Sequence, residues 1–249
     1  MNRLLRSSVV LAGLAASALG ARAAPVTIDL TGWLFGGPIV GASLTKTAVS
    51  GGNFSALSKT GVGLGALAGT INYGSGASAF TTYCLEIYED ISVPSGPLAY
   101  NTVSPGAYTT AGGANGWGPG AGAIAANLGK LLSYALPLVT TASDAAALQL
   151  AIWEAIYEEP TALPSVPGAY LTTGNFSVGL VAASITSLAD SYLSHAAMST
   201  STLGIKIATM DGKQDLLVIP EPTSIALVLL GLGAAGAASR RRGVPAAAA

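Results

Sequence analysis

The sequence predicts an α+β domain, a β-sandwich or barrel with a helical insertion, set between terminal segments of a different kind. Three observations predict it. Residues 25–110 alternate β-branched and aromatic stretches with Gly, Ser, Asn and Pro breakers. Residues 122–195 instead carry apolar side chains at helical spacing. Two further strand-like stretches, 203–209 and 214–219, then return the chain to a sheet.

The elements follow in order. Val26–Leu30, Thr70–Tyr73, Ala79–Ile91 and Leu98–Val103 read as strands, with turns at Gly36-Gly37-Pro38, Gly51-Gly52-Asn53 and Gly74-Ser75-Gly76. Gly61, Gly63, Gly65 and Gly69 lack the lysine and the strand-to-helix setting of a phosphate loop and read as a flexible or close-packed strand and edge. Ala111–Gly122, around Trp117, reads as a loop. Gly122–Leu136 forms a helix ended by Pro137. A second helix over 143–159 has Ser143 as N-cap, Asp144 in its first turn and Pro160 as its stop. A third spans Val178–His195. Asp211-Gly212 is the turn between the last two strands.

Composition narrows the function classes. Charged residues are 9% of the chain, against about a quarter in ordinary domains. Residues 24–219 hold five lysines and no arginine against eleven acidic residues, a net charge near −6. That balance offers no footprint for nucleic acid or an anionic membrane surface. Glu86, Glu89 and Asp90 cluster, but without the alternating oxygen ligands of a calcium loop, so no metal is expected and the trio reads as a solvated strand edge. No cofactor motif is found.

The two ends read as targeting segments. Arg3 and Arg6, an apolar Ser8–Leu19 stretch and Ala21-Arg22-Ala23 form a signal peptide over 1–23 that addresses the chain to the Sec export machinery. At the other end, over 220–249, Pro220-Glu221-Pro222 leads into an apolar run of sixteen residues, Thr223–Ala238, closed by Arg240, Arg241 and Arg242. That run is shorter than the roughly twenty residues that cross a bilayer comfortably. The arginines would hold it with that end in the cytoplasm, as a transient inner-membrane anchor. An ordinary tail anchor is the bland alternative. The order of the three parts resembles the PEP-CTERM sorting signal of Gram-negative bacteria. The resemblance implies a C-terminal sorting helix, recognition by an exosortase-type protease, cleavage near Pro220–Pro222, and delivery to the cell surface or extracellular matrix.

Within residues 24–219 two side chains are oddly placed. Cys84 is the only cysteine of the chain. By strand alternation Tyr83, Leu85, Ile87 and Ile91 share one face, which leaves Cys84 on the other with Glu86 and Tyr88. Gln149 lies inside the apolar stripe of the 143–159 helix, between Ile156 and Trp153 on the helical wheel, with Glu154 and Glu158 opposite. A carboxamide buried without partners costs roughly 1–3 kcal/mol, so Gln149 needs a reason to be there. Pairing the two resolves both oddities. An inert buried thiol beside a hydrogen-bonded glutamine, or an intermolecular disulfide from an unpaired exported cysteine, are the other readings. The one histidine, His195, sits near a helix C-terminus and does not suggest a Cys–His catalytic pair.

Tyr83-Cys84-Leu85 and Leu148-Gln149-Leu150-Ala151-Ile152-Trp153, 65 residues apart from Cys to Gln, resemble the thioester domains of bacterial surface adhesins. That family is best known from Gram-positive organisms. Glu86 stands where many members have Asp. The resemblance implies a Cys84–Gln149 thioester shielded by Tyr83 and Trp153, open to an amine or hydroxyl nucleophile on an extracellular surface or matrix. It implies single-turnover acyl transfer and no true enzyme. Glu86, Tyr88 and Glu154 are candidate bases by proximity. A structural biofilm-matrix protein, with the thioester as a staple or absent, is the alternative; a secreted polysaccharide hydrolase would need an acid/base pair that the sequence does not display.

Overall fold

The computed structural model describes residues 24–49, 53–111, 116–158 and 170–219. The signal peptide, the sorting segment, most of the Gly51-Gly52-Asn53 turn and the Pro160 helix stop lie outside the described residues.

The strands are β1 (Ala24–Trp33), β2 (Ile39–Lys46), β3 (Leu57–Leu64), β4 (Leu67–Asn72), β5 (Ala77–Thr82), β6 (Gly96–Val103), β7 (Phe176–Gly179), β8 (Lys206–Met210) and β9 (Lys213–Val218). The helices of a turn and a half or more are α1 (Pro105–Ala111), α2 (Ala121–Ala135), α3 (Ala142–Tyr157) and α4 (Ala183–Met198). An antiparallel six-stranded sheet runs β5-β4-β1-β6-β8-β9, and a second, three-stranded one runs β3-β2-β7. The expected class holds in its broad form: curled antiparallel sheets, a half-barrel, with helices between β6 and β8.

The six-stranded sheet curls until its two edges meet. The Thr82 hydroxyl donates to the Leu217 carbonyl at 2.7 Å, and beyond it the chain pairs with β9 at a single bridge, Cys84 with Leu216. Leu85 N donates to Asp215 O at 2.9 Å, and Leu217 N donates to Tyr83 O at 3.0 Å. The long strand expected over Ala79–Ile91 is therefore a correction. β5 keeps β4 as its partner only to Thr82, opposite Leu67 where β4 begins, and the chain then crosses to the other sheet edge.

The glycine-rich stretch is ordered, and each glycine that touches a neighbour has a packing reason. A side chain on Gly63 would press on Pro38 and the Trp33 ring. One on Gly69 would collide with the backbone carbonyl of Asp29, the residue before its ladder partner Leu30 on β1. Strands β2 and β7 and helix α1 were not legible as such, and β3 only over its glycine-rich end, Gly61–Leu64. β2 and β3 mix exposed and buried positions with register shifts, so a clean alternation never forms.

Helix α3 is buried on every side from Ala145 to Tyr157, the pattern of a central core helix. α2 and α4 pack on it, as does the three-stranded sheet. Its N-cap is Thr141, where Ser143 was expected. The Thr141 hydroxyl accepts from Asp144 N at 3.2 Å and the Asp144 carboxylate accepts from Thr141 N at 2.9 Å, a reciprocal capping box. The third helix starts at Ala183 and not at Val178, because Val178 is taken by β7, opposite Leu44 of β2.

Gly69→Ala should lower stability by roughly 1–3 kcal/mol, since the obstacle is backbone and cannot rotate away. Gly122→Ala, in open space on α2, should be neutral or stabilising. Thermal melts of the two variants check this, and equal melting temperatures would refute the packing argument.

Candidate functional site

At the closure of the sheet, Cys84 has its two neighbours tied to β9 and its own N–H and C=O turned the other way. On that side β4 has already ended, so no strand is available to pair with them. The Gln149 side chain, reaching from α3, takes the strand's place. Cys84 N donates to Gln149 Oε1 at 3.0 Å, and Gln149 Nε2 donates to Cys84 O at 2.8 Å. A planar carboxamide offers one acceptor and one donor at the spacing of a peptide group, which is why glutamine can complete a ladder there. The structure thus brings Cys84 and Gln149 together, both buried.

The expected alternation holds only from Tyr83 to Glu86. Cys84 and Glu86 line one cleft of about 380 Å³, and Tyr83 and Leu85 do not. Ile87 and Ile91 line it too and Tyr88 does not, because no regular strand continues past the seam. Trp153, Trp33, Lys59, Glu89 and Gln214 also line it. Of the two residues expected to shield the sulfur, Trp153 borders the cleft. Tyr83 is buried elsewhere: its phenol is pushed up by burial first, then by Tyr192 and Asp144, which places it toward α4 and the start of α3. Burial pushes the Cys84 thiol up to about 12, opposed by Lys59 and reinforced by Glu86 and Asp90. Cys84 is 6% exposed and opens only to this cleft, which disfavours ready pairing with another chain's thiol.

Three expectations about acidic residues are corrected. Glu86 is 3% exposed and belongs to no solvated edge; the closing of the seam carries it inside. Glu154, expected opposite the apolar stripe, is 4% exposed, because α4 packs on α3 and brings Asp190 near it. Glu158 is no free surface charge either, since its carboxylate accepts from Asn175 N at 2.7 Å and Phe176 N at 2.9 Å, holding the start of β7. Glu89 and Asp90 stay nearer solvent, where Lys59 donates to the carbonyls of Ile87 and Glu89 and pairs with Asp90 at 2.6 Å. Among the described residues no cluster of three or more His, Cys, Asp or Glu side chains is arranged to hold a metal ion. Tyr88 donates its hydroxyl to Ser55 O at 2.8 Å. His195 stacks on Tyr134 at 5.1 Å and bonds Ser191 O through Nδ1 at 2.8 Å, in the last turn of α4.

Sequence reasoning missed the polar pair on β9. Gln214 Nε2 donates to Glu86 O at 2.5 Å. Asp215 accepts the Tyr108 hydroxyl at 2.6 Å, and its carboxyl rises to about 6, chiefly by burial. Gln214 and Asp215, which with Lys213 open a strand that ends Leu-Leu-Val, were the available signal.

Residues 218–242 match the PEP-CTERM protein-sorting motif, a stretch that contains Pro220, Glu221, Pro222 and Arg240–Arg242. The match supports an exported protein that passes through the membrane to the cell surface and is processed by exosortase-type machinery. No curated protein and no solved structure matches the chain. Among the described residues no helix is long and apolar enough to cross a membrane.

Gln149→Leu should cost roughly 2–4 kcal/mol, because it strands the buried N–H and C=O of Cys84. Cys84→Ala keeps both hydrogen bonds and should cost less. Urea denaturation of the two variants checks the order, and a reversal would show that the carboxamide is not the tie.

Glu154 supplies a pH signature. Burial, then Glu158 and Asp190, lift its carboxyl from 4.5 to about 9. The folded state therefore holds a proton that the unfolded chain releases, so this group's contribution weakens as pH rises from about 4.5 to 9. Glu154→Gln should flatten the stability profile over that window and raise stability at its alkaline end. An unchanged slope in pH-dependent denaturation would contradict this.

Proposed function

We propose that this exported cell-surface protein carries an internal thioester between Cys84 Sγ and Gln149 Cδ, and uses it to attach covalently to an amine or hydroxyl on an extracellular surface or matrix. The observation that carries the reading is the carboxamide of Gln149 held by both of its ends on the residue that bears the thiol. The Cys84 N–H that donates to Oε1 also polarises the carbonyl under attack and is placed to stabilise negative charge as it develops there. In formation, sulfur bonds to Cδ, the C–N bond breaks, and the thiol's hydrogen leaves with nitrogen as ammonia. In attachment, an incoming amine or hydroxyl bonds to Cδ, the S–C bond breaks, and sulfur regains a hydrogen. Each molecule reacts once and is consumed, so the process is acyl transfer without turnover. Trp153 would keep water from the acyl carbon. Pro220–Pro222 is the place where an exosortase-type protease would release the domain from its transient anchor.

A second reading has its own support. Both ends of Gln149 are already satisfied, and a thiol raised to about 12 is unreactive at neutral pH. On that reading the glutamine is only a tie between α3 and the sheet seam, and the protein is a structural component of the matrix.

Intact mass of the exported protein separates the two. The thioester form is lighter than the sequence mass by one ammonia, and methylamine should add to it while exposing one titratable thiol. A full sequence mass, with Cys84 alkylated only on unfolding, would leave the structural reading standing.

A further inference from the structure

Thioester formation needs a proton moved from sulfur to nitrogen, and the cleft that Cys84 lines holds one buried carboxyl oxygen without a partner. Glu86 is enclosed, yet its Oε1 meets no hydrogen-bond partner, in the same cleft that Cys84 lines. Leaving a buried oxygen unsatisfied costs roughly 1–3 kcal/mol. An oxygen that accepts a hydrogen during a reaction is one reason to bear that cost. Other candidates nearby are engaged. Lys59 is tied to Ile87 O, Glu89 O and Asp90, Tyr108 to Asp215, and Tyr88 to Ser55. Glu154 faces Glu158 and Asp190, and His195 is stacked on Tyr134.

We propose that Glu86 is the proton carrier of the Cys84–Gln149 reaction, an inference that rests on the thioester reading above. Acting as a neutral acid, its carboxyl gives its hydrogen to Nε2 of Gln149, which departs as ammonia, while Oε1 takes the hydrogen of the thiol. Sulfur bonds to Cδ as the C–N bond breaks, and the carboxyl ends the step protonated as it began. No free thiolate is required, which matters because a thiol near 12 is ionised in only about one molecule in 10⁵ at neutral pH. The surroundings keep the acid neutral: burial first, then the charge of Asp215 and the Glu89 carboxyl, against a hydrogen bond from the Asp215 backbone. Tyr100, Tyr108 and Tyr157 also face it, all with their own ionisation suppressed, while Lys59 and Asp90 sit beyond it at the Cys84 side and offset one another.

The test uses the reverse reaction. Ammonia should reopen the thioester in the full exported protein and restore both the Cys84 thiol and the Gln149 carboxamide. After ammonia is removed, re-formation is followed by intact mass and thiol titration across pH. The wild-type rate should fall on the alkaline side, as Glu86 loses its proton. Glu86→Gln should slow re-formation ~100-fold and abolish that fall, with its fold checked by thermal melting. A wild-type rate that stays flat or rises with pH, as attack by a thiolate requires, overturns the inference without any variant. So does a folded Glu86→Gln variant that re-forms the bond at the wild-type rate. A wild-type protein that never loses ammonia overturns the thioester reading itself.

Discussion

A half-barrel closed at one end by a single bridge has a physical problem at its seam. The backbone of Cys84 faces inward with one donor and one acceptor and no strand beside it. Cys84 is buried, so leaving both groups unpaired would cost the fold. The Gln149 carboxamide meets that need and in doing so decides where α3 sits. With α3 placed, α2, α4 and the three-stranded sheet have a surface to pack on. The central helix, the seam of the sheet and the only thiol thus meet at one pair of hydrogen bonds.

The same enclosure shapes the chemistry of the acids. Glu86, Asp215 and Glu154 are drawn inside by packing, and burial is the first cause of the rise in each carboxyl. Asp215 is met by the Tyr108 hydroxyl and the Met210 amide, whereas Glu86 and Glu154 each keep one oxygen without a partner. The two orphans differ in setting. Glu154 lies under α4 and acts on stability alone. Glu86 lies in the cleft with the thiol, where an uncommitted oxygen can take part in a reaction. A chain with 9% charged residues still spends three carboxyls in its interior, which is costly unless the sites have work to do.

Much of the organisation was legible residue by residue. Apolar spacing located α2 and α3 nearly to their ends, and strand alternation put Cys84 with Glu86 and away from Tyr83 and Leu85. The polar glutamine in an apolar stripe marked the contact that matters most. The errors have local causes. Ser143 competes with Thr141 as N-cap, and only Thr141 completes a reciprocal pair with Asp144. Glu154 and Glu158 look like a solvated face because a helical wheel knows nothing of a fourth element packed over it. β2 and β3 pair with register shifts, β7 is short, and the β2–β7 pairing joins residues more than a hundred positions apart.

By itself the sequence determined the C-terminal sorting motif, the broad mix of antiparallel sheet and helices, and which cysteine and glutamine stand out, because these rest on local composition, periodicity and single residues out of place. Only the tertiary structure decided that the two residues meet through the backbone of one and the side chain of the other. It also decided that Glu86 is enclosed beside the sulfur and that Tyr83 is not part of the cleft. Those outcomes depend on where a sheet edge runs out of partners, a property of the closed fold that no window along the chain contains.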